Sequence, residues 1–163
     1  MKPKITFVLT GGTIDKEYDA LDRAFTVGKG AVERILGFVK PNFDATIVPV
    51  VQKVSTDILP EDKEKIRQIC AECSDDKIVV TYGTDTMTEA GKLLSGIEGK
   101  TIVITGALKS QLIKDTDAEF NLGCAVAAVQ TMPHGVYIAM SGRIYPWDTC
   151  VKDMNTGQFV ETM

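Results

Sequence analysis

Short runs of apolar and β-branched residues alternate along this chain with longer stretches whose apolar positions return every three or four residues. The first run, Ile5 to Leu9, predicts a strand buried on both faces, and it ends in Thr10-Gly11-Gly12-Thr13. From Gly28 onward Val32, Ile35, Leu36 and Val39 fall at helical spacing, and Pro41 closes that helix. Phe43 to Val51 predicts a strand that Pro49 assigns to an edge. A loop with Ser55, Thr56 and Asp57 follows, then a helix opened by Pro60, with Glu61 and Asp62 at its positive end and Ile66, Ile69, Cys70 and Cys73 as its inner stripe. Lys77 to Tyr82, Lys100 to Thr105 and Gly135 to Met140 are further buried strands. Met87 to Leu94 and Asp117 to Gln130 are helices, the second starting at an aspartate suited to cap it. The stretch from Asp15 to Val27 is charged and without period, so a mobile loop is expected there, a lid carrying Tyr18 and Phe25. The residues after Ser141 are expected as loop with one short strand.

Strands separated by helices predict a mostly parallel sheet covered on both faces, the three-layer αβα class of α/β fold, in one domain over residues 1–163. Ligands bind such sheets at the carboxyl ends of the strands. Thr10 and Thr13, then Thr84 and Asp85, then Thr105 occupy three such ends and should converge on one sheet edge. Gly11 and Gly12 allow positive φ and leave the backbone open to a ligand, which makes Thr13 a candidate nucleophile. A plain structural turn between strand and loop has the same composition. The helix after Gly83-Thr84-Asp85-Thr86 aims unpaired N–H groups at that turn, which suits an anion. Neither G-x-G-x-x-G nor a complete P-loop is present; Gly106 to Ser110 matches only the tail of the latter.

Composition narrows the partners. A net charge of −4 with no cluster of lysine and arginine lacks the footprint of a nucleic-acid or anionic-membrane binder, leaving small molecules or proteins. The amino terminus lacks the pattern of a signal peptide, no apolar run is long enough for a membrane span, and the four cysteines do not suit a disulfide scaffold, so a reducing cytoplasm is expected. Cys70 and Cys73 form C-x-x-C, but in the second half of a helix, where packing explains them. The single His134 has no second histidine with which to build a zinc site.

Four tags, TGGTI at Thr10 to Ile14, GTDTM at Gly83 to Met87, ITGAL at Ile104 to Leu108 and DAEFNL at Asp117 to Leu122, resemble in order and spacing the amino-terminal domain of bacterial-type L-asparaginases. FTVGKGAVERI from Phe25 is similar to the end of that family's active-site lid and the helix after it, and TCVKDMNT from Thr149 to its lysine-bearing stretch. The resemblance covers nearly the whole chain. It implies an amidohydrolase that releases ammonia from asparagine or a related small amide through an acyl-threonine intermediate, with no metal or organic cofactor. Thr13 matches the nucleophile. Thr84, Asp85 and Lys152 match the group that activates a hydroxyl; Asp85 also holds the substrate's α-amino group, Ser55 its α-carboxylate, and the backbone at Gly12 and Gly83 borders the substrate. Thr10 is read as structural. The family's sites lie against neighbouring subunits, and its usual carboxyl-terminal domain supplies an acidic residue there, so a homodimer or larger homo-oligomer is expected. Two positions depart from the pattern: Phe25 where the lid carries a tyrosine, and Tyr82 where a histidine precedes the GTD turn. A binding module that retains the site without turnover is the other reading.

Overall fold

The computed structural model describes residues 1–28 and 30–163. Its centre is a six-stranded sheet. Strands β1 (Lys4–Gly11), β4 (Asp44–Lys53), β5 (Lys77–Thr81), β6 (Thr101–Thr105) and β7 (Gly135–Met140) run parallel, and β8 (Arg143–Pro146) is antiparallel at one edge, in the order β4-β1-β5-β6-β7-β8. Strand β4 forms the other edge, where Pro49 costs no ladder hydrogen bond on the free side. Helices α1 (Ala31–Val39) and α4 (Ala118–Thr131) cover one face, packing Val32, Ile35, Leu122 and Val129 against Ile5, Phe7, Val79 and Val103. Helices α2 (Pro60–Glu72) and α3 (Met87–Leu94) cover the other, packing Ile66, Met87 and Leu94 against Val8, Ile78, Val80, Ile102 and Ile104. Alternate residues of β1, β5 and β6 thus enter opposite cores, as a strand buried on both faces must. Each fully buried isoleucine there contributes about 1.5–3 kcal/mol. The expected αβα architecture is present.

Helix ends follow the sequence signals. Pro60 is the first residue of α2, and Asp62 reaches back to accept the N–H of Leu59 at 2.9 Å. Helix α1 stops at Val39, with Lys40 in the left-handed region before Pro41. Asp117 does precede α4, but its carboxylate makes no cap bond and serves the loop after β6 instead. Cys70 is buried, and burial pushes its thiol up to about 12, consistent with a packing role for the C-x-x-C pair.

Two further expectations are corrected. Residues 15–27 are not a plain loop: β2 (Lys16–Asp19) and β3 (Ala24–Val27) form an antiparallel hairpin that pairs Tyr18 with Phe25. The Asp19 carboxylate secures its turn by accepting the N–H groups of Leu21 and Asp22. Both faces of this hairpin are largely exposed, so no inside–outside alternation marks it in the sequence. After Ser141 there are three short strands rather than one. Besides β8, β9 (Cys150–Lys152) and β10 (Phe159–Glu161) pair antiparallel, each anchored by a single buried residue, Cys150 or Phe159. Among the described residues no helix is long and apolar enough to cross a membrane.

Candidate active site

Three strand ends meet at the carboxyl edge of the sheet, and glycine makes the meeting possible. Gly11 and Gly12 both have positive φ, 95° and 85°. A Cβ on Gly11 would come within 2.6 Å of the Lys53 carbonyl, and one on Gly12 within 2.8 Å of the Gly83 backbone. A Cβ on Gly83 would lie 2.6 Å from Cβ of Ser55. The turns after β1, β4 and β5 are therefore in backbone contact, closer than side chains permit, and Gly12 N–H donates to Lys53 O at 2.9 Å across them.

Between these turns lies a cleft of about 140 Å³, lined among others by Gly12, Thr13, Ser55, Thr84, Asp85 and Lys152. Every residue assigned to the site from the sequence borders this one space. Lys152 arrives from β9, 68 positions after Thr84, and its ammonium donates to Thr84 Oγ1 at 2.8 Å and to Asp85 Oδ1 at 2.7 Å. The lysine side chain is largely buried and the aspartate half exposed. Thr13 is half-buried, and the hydrogen bonds of Lys152 go to Thr84 and Asp85, not to Thr13. A hydroxyl, an amine and a carboxylate in a bonded row match the general pattern of a nucleophile, a base and its orienting group.

Thr105 does not join them. Its hydroxyl donates to Ala139 O at 2.8 Å inside the sheet, so its expected convergence on the site fails because the ladder already uses the side chain. Thr10 is structural in the same way, donating to Thr81 O at 2.7 Å. Tyr82 is buried in the core against α3, where burial raises its pKa.

Four wall residues were not assigned to the site from the sequence: Val54 and Thr56, which flank Ser55, and Lys16 and Leu108. Lys16 follows Thr13 by one 3-10 turn, and that spacing was the available signal. Leu108 carried none, because a clamp far along the chain sets its loop. Asp117 accepts the N–H groups of Leu108 and Lys109, both at 2.9 Å, and the buried Asn121 donates at 2.9 Å to Gly106 O and to Asp117.

Beyond Thr13 the cleft continues into a hollow of about 270 Å³ that Thr13, Lys16 and Leu108 share with Phe25. Phe25 thus borders the same space as the candidate nucleophile. Tyr18 does not: its ring meets that of Phe25 edge-on at 5.6 Å and faces an outer hollow.

Fold and cleft together define a three-layer α/β domain with a threonine–lysine–aspartate site at the carboxyl edge of its sheet. Residues 4–159 match the family described as Asparaginase, N-terminal. The chain belongs to the asparaginase family and corresponds to its amino-terminal domain. It is 30% identical over 155 residues to L-asparaginase 2 of Escherichia coli, covering 87% of this chain and 44% of that protein. It is 31% identical over 153 residues to a component of the glutamyl-tRNA(Gln) amidotransferase of Thermococcus kodakarensis, covering 86% and 34%. Among solved structures, the thermostable L-asparaginase from Thermococcus kodakarensis superposes with a TM-score of 0.81 at 23% identity, over 97% of this chain and 51% of that one. The probable cytoplasmic L-asparaginase from Campylobacter jejuni does so with a TM-score of 0.78 at 27% identity, over 98% and 53%. The chain spans less than half the length of these two curated relatives and about half that of the solved neighbours.

Proposed function

We propose that this domain carries an amidohydrolase site, which releases ammonia from the side-chain amide of asparagine or a related small amide. The observation that carries the reading is the bonded Thr84–Lys152–Asp85 row in one cleft with Thr13. In the proposed reaction the Thr13 hydroxyl oxygen attacks the amide carbonyl carbon and its proton passes to the leaving nitrogen. The C–N bond breaks, ammonia departs, and an ester to Thr13 remains. Water then attacks that ester, assisted by Thr84 and Lys152, giving the carboxylic acid and restoring the hydroxyl. Asp85 and Ser55 hold the substrate's amino and carboxylate ends, and the Gly12 and Gly83 backbone forms the floor between them. The site acts in the cytoplasm and needs neither metal nor organic cofactor.

A direct test measures ammonia release from asparagine, glutamine and other small amides by purified protein. Phe25 supports the second reading, a binding module without turnover, because a phenyl ring beside Thr13 cannot pass a proton. Aspartate that raises the melting temperature of a protein inert toward all amides is the outcome that selects it.

The same observation leads to a prediction. Phe25→Tyr restores a hydroxyl next to Thr13 and is expected to raise kcat by up to about a hundredfold, the low end of what a positioned acid or base contributes, with KM little changed. Tyr18→Phe is expected to leave kcat as it is, since Tyr18 lies outside the shared hollow. Steady-state kinetics on both variants decide the matter: a steep loss in Tyr18→Phe would transfer the relay to Tyr18.

Self-association belongs to the same proposal. The lid hairpin leaves Tyr18, Leu21 and Phe25 exposed beside the cleft, a surface that a homodimer or larger assembly would cover. Sedimentation at micromolar concentration should show an assembly, and monomer alone would count against it.

A further inference from the structure

Asp15 takes no part in the chemistry proposed above, yet it is a carboxyl with only 3% of its surface exposed. Its N–H donates to Gly12 O at 3.2 Å, and its carbonyl accepts the Gly28 N–H at 2.8 Å. Its side-chain Oδ1 accepts the N–H of Ala31, the first residue of α1, at 3.2 Å. Gly12 belongs to the turn that carries Thr13, Asp15 leads into the first leg of the hairpin, and Gly28 leaves the second. One residue therefore ties both legs of the lid to the turn of the candidate nucleophile and to a helix.

A small hydrophobic residue would pack here without the penalty of burying a charge. Burial is the largest influence on Asp15 and raises its pKa from 3.8 to about 6; the Ala31 N–H and Arg34 of α1 lower it, and Glu17 of β2 raises it. Asp15 also lines a cavity of about 200 Å³, with Glu33 of α1 on its wall, while β4 presents only the uncharged Pro49, Val50, Val51 and Gln52. The ionised form is thus held at a cost, at the point where the lid joins the site.

We propose that Asp15 is a positioning residue at the lid hinge: when protonated it favours the hairpin closed beside Thr13, and when ionised it favours opening. Opening the joint returns the carboxyl to water and its pKa toward the ordinary value. The closed form then binds the proton more tightly, so closure is favoured at low pH and the preference is lost as pH rises through about 6. About two pKa units between the two forms set the ceiling on the shift at roughly a hundredfold in the open-to-closed ratio. The hinge depends on the hydrogen bonds just given; only its bearing on catalysis rests on the Thr13 reading.

Amide hydrogen exchange of residues 16–28 and of Ala31, corrected for intrinsic rates, tests the hinge between about pH 4.5 and 7.5. In the wild type, protection is expected to fall with rising pH by a factor of ten to a hundred, roughly as the ceiling allows. Asp15→Asn keeps an acceptor for the Ala31 N–H but does not titrate, and its protection should be independent of pH. A flat wild-type profile, or the same pH dependence in Asp15→Asn, overturns the hinge. The positioning role predicts an inflection near pH 6 in the wild-type kcat profile that the variant lacks; identical profiles overturn that role. Absence of both turnover and aspartate binding at every pH defeats the Thr13 reading, while the exchange data by themselves still uphold or overturn the hinge.

Discussion

Thr13→Val is expected to abolish ammonia release while the protein keeps its fold and its affinity for aspartate. Valine preserves the branched shape and removes only the hydroxyl, so a covalent route through Thr13 loses its attacking atom. Loss of a hydrolytic nucleophile costs on the order of a millionfold in kcat. Stability should move by less than about 1 kcal/mol, because Thr13 is only half-buried and the turn is held by backbone bonds and glycine packing rather than by this side chain. Steady-state ammonia assays with thermal melts in the presence and absence of aspartate measure both halves. Near-wild-type rates in Thr13→Val would defeat the acyl-Thr13 mechanism and turn attention to Thr84, the hydroxyl that Lys152 holds at 2.8 Å. Mass spectrometry of quenched reactions then identifies which threonine carries the acyl group.

Lys152→Met should be nearly as severe for the second half of the cycle. Methionine keeps a long unbranched side chain in the cleft but neither donates to Thr84 nor pairs with Asp85. Removing a positioned acid or base typically lowers rates by about a hundredfold to ten-thousandfold. If Lys152 serves mainly the attack of water on the ester, the variant should form acyl-enzyme in a burst and then stall, which rapid-quench kinetics would reveal. The fold should tolerate the change, since Asp85 is half exposed and water replaces the lost partner. Turnover within a factor of a few of the wild type would remove Lys152 from the mechanism.

These expectations depend on different parts of the chain to different degrees, and so did the legibility of the structure. Strand and helix identities in the central layers were readable because their burial imposes a pattern: Ile5 to Leu9 and Ile102 to Ile104 are buried on both faces, and Val32 and Ile35 repeat at helical spacing. Pro41, Pro60 and the glycines at 11, 12 and 83 marked where elements start or stop, since backbone geometry admits few other residues there. Hence the αβα class, the edge position of β4 and the strand-end placement of Thr13, Thr84 and Asp85 followed from local chemistry alone.

Tertiary structure decided what local chemistry leaves open. The hairpin of residues 16–27 has no buried face, so nothing in its composition distinguishes paired strands from a loop, and the cross-strand partners Tyr18 and Phe25 define it. Thr10 and Thr105 each end an apolar run at the same sheet edge that carries Thr13. What separates them is whether a neighbouring strand offers a carbonyl within hydrogen-bond reach, as Thr81 and Ala139 do for those two. Asp117 reads as a helix cap until the loop at Leu108 is brought against it. Lys152 lies on a three-residue strand with no periodicity to report its direction, and only the fold brings its ammonium between Thr84 and Asp85. Local propensity thus determined the elements of the central layers and their order, because each buries or exposes its own residues. The pairing of side chains across 68 positions depended on sheet order and strand register, which only the assembled core establishes.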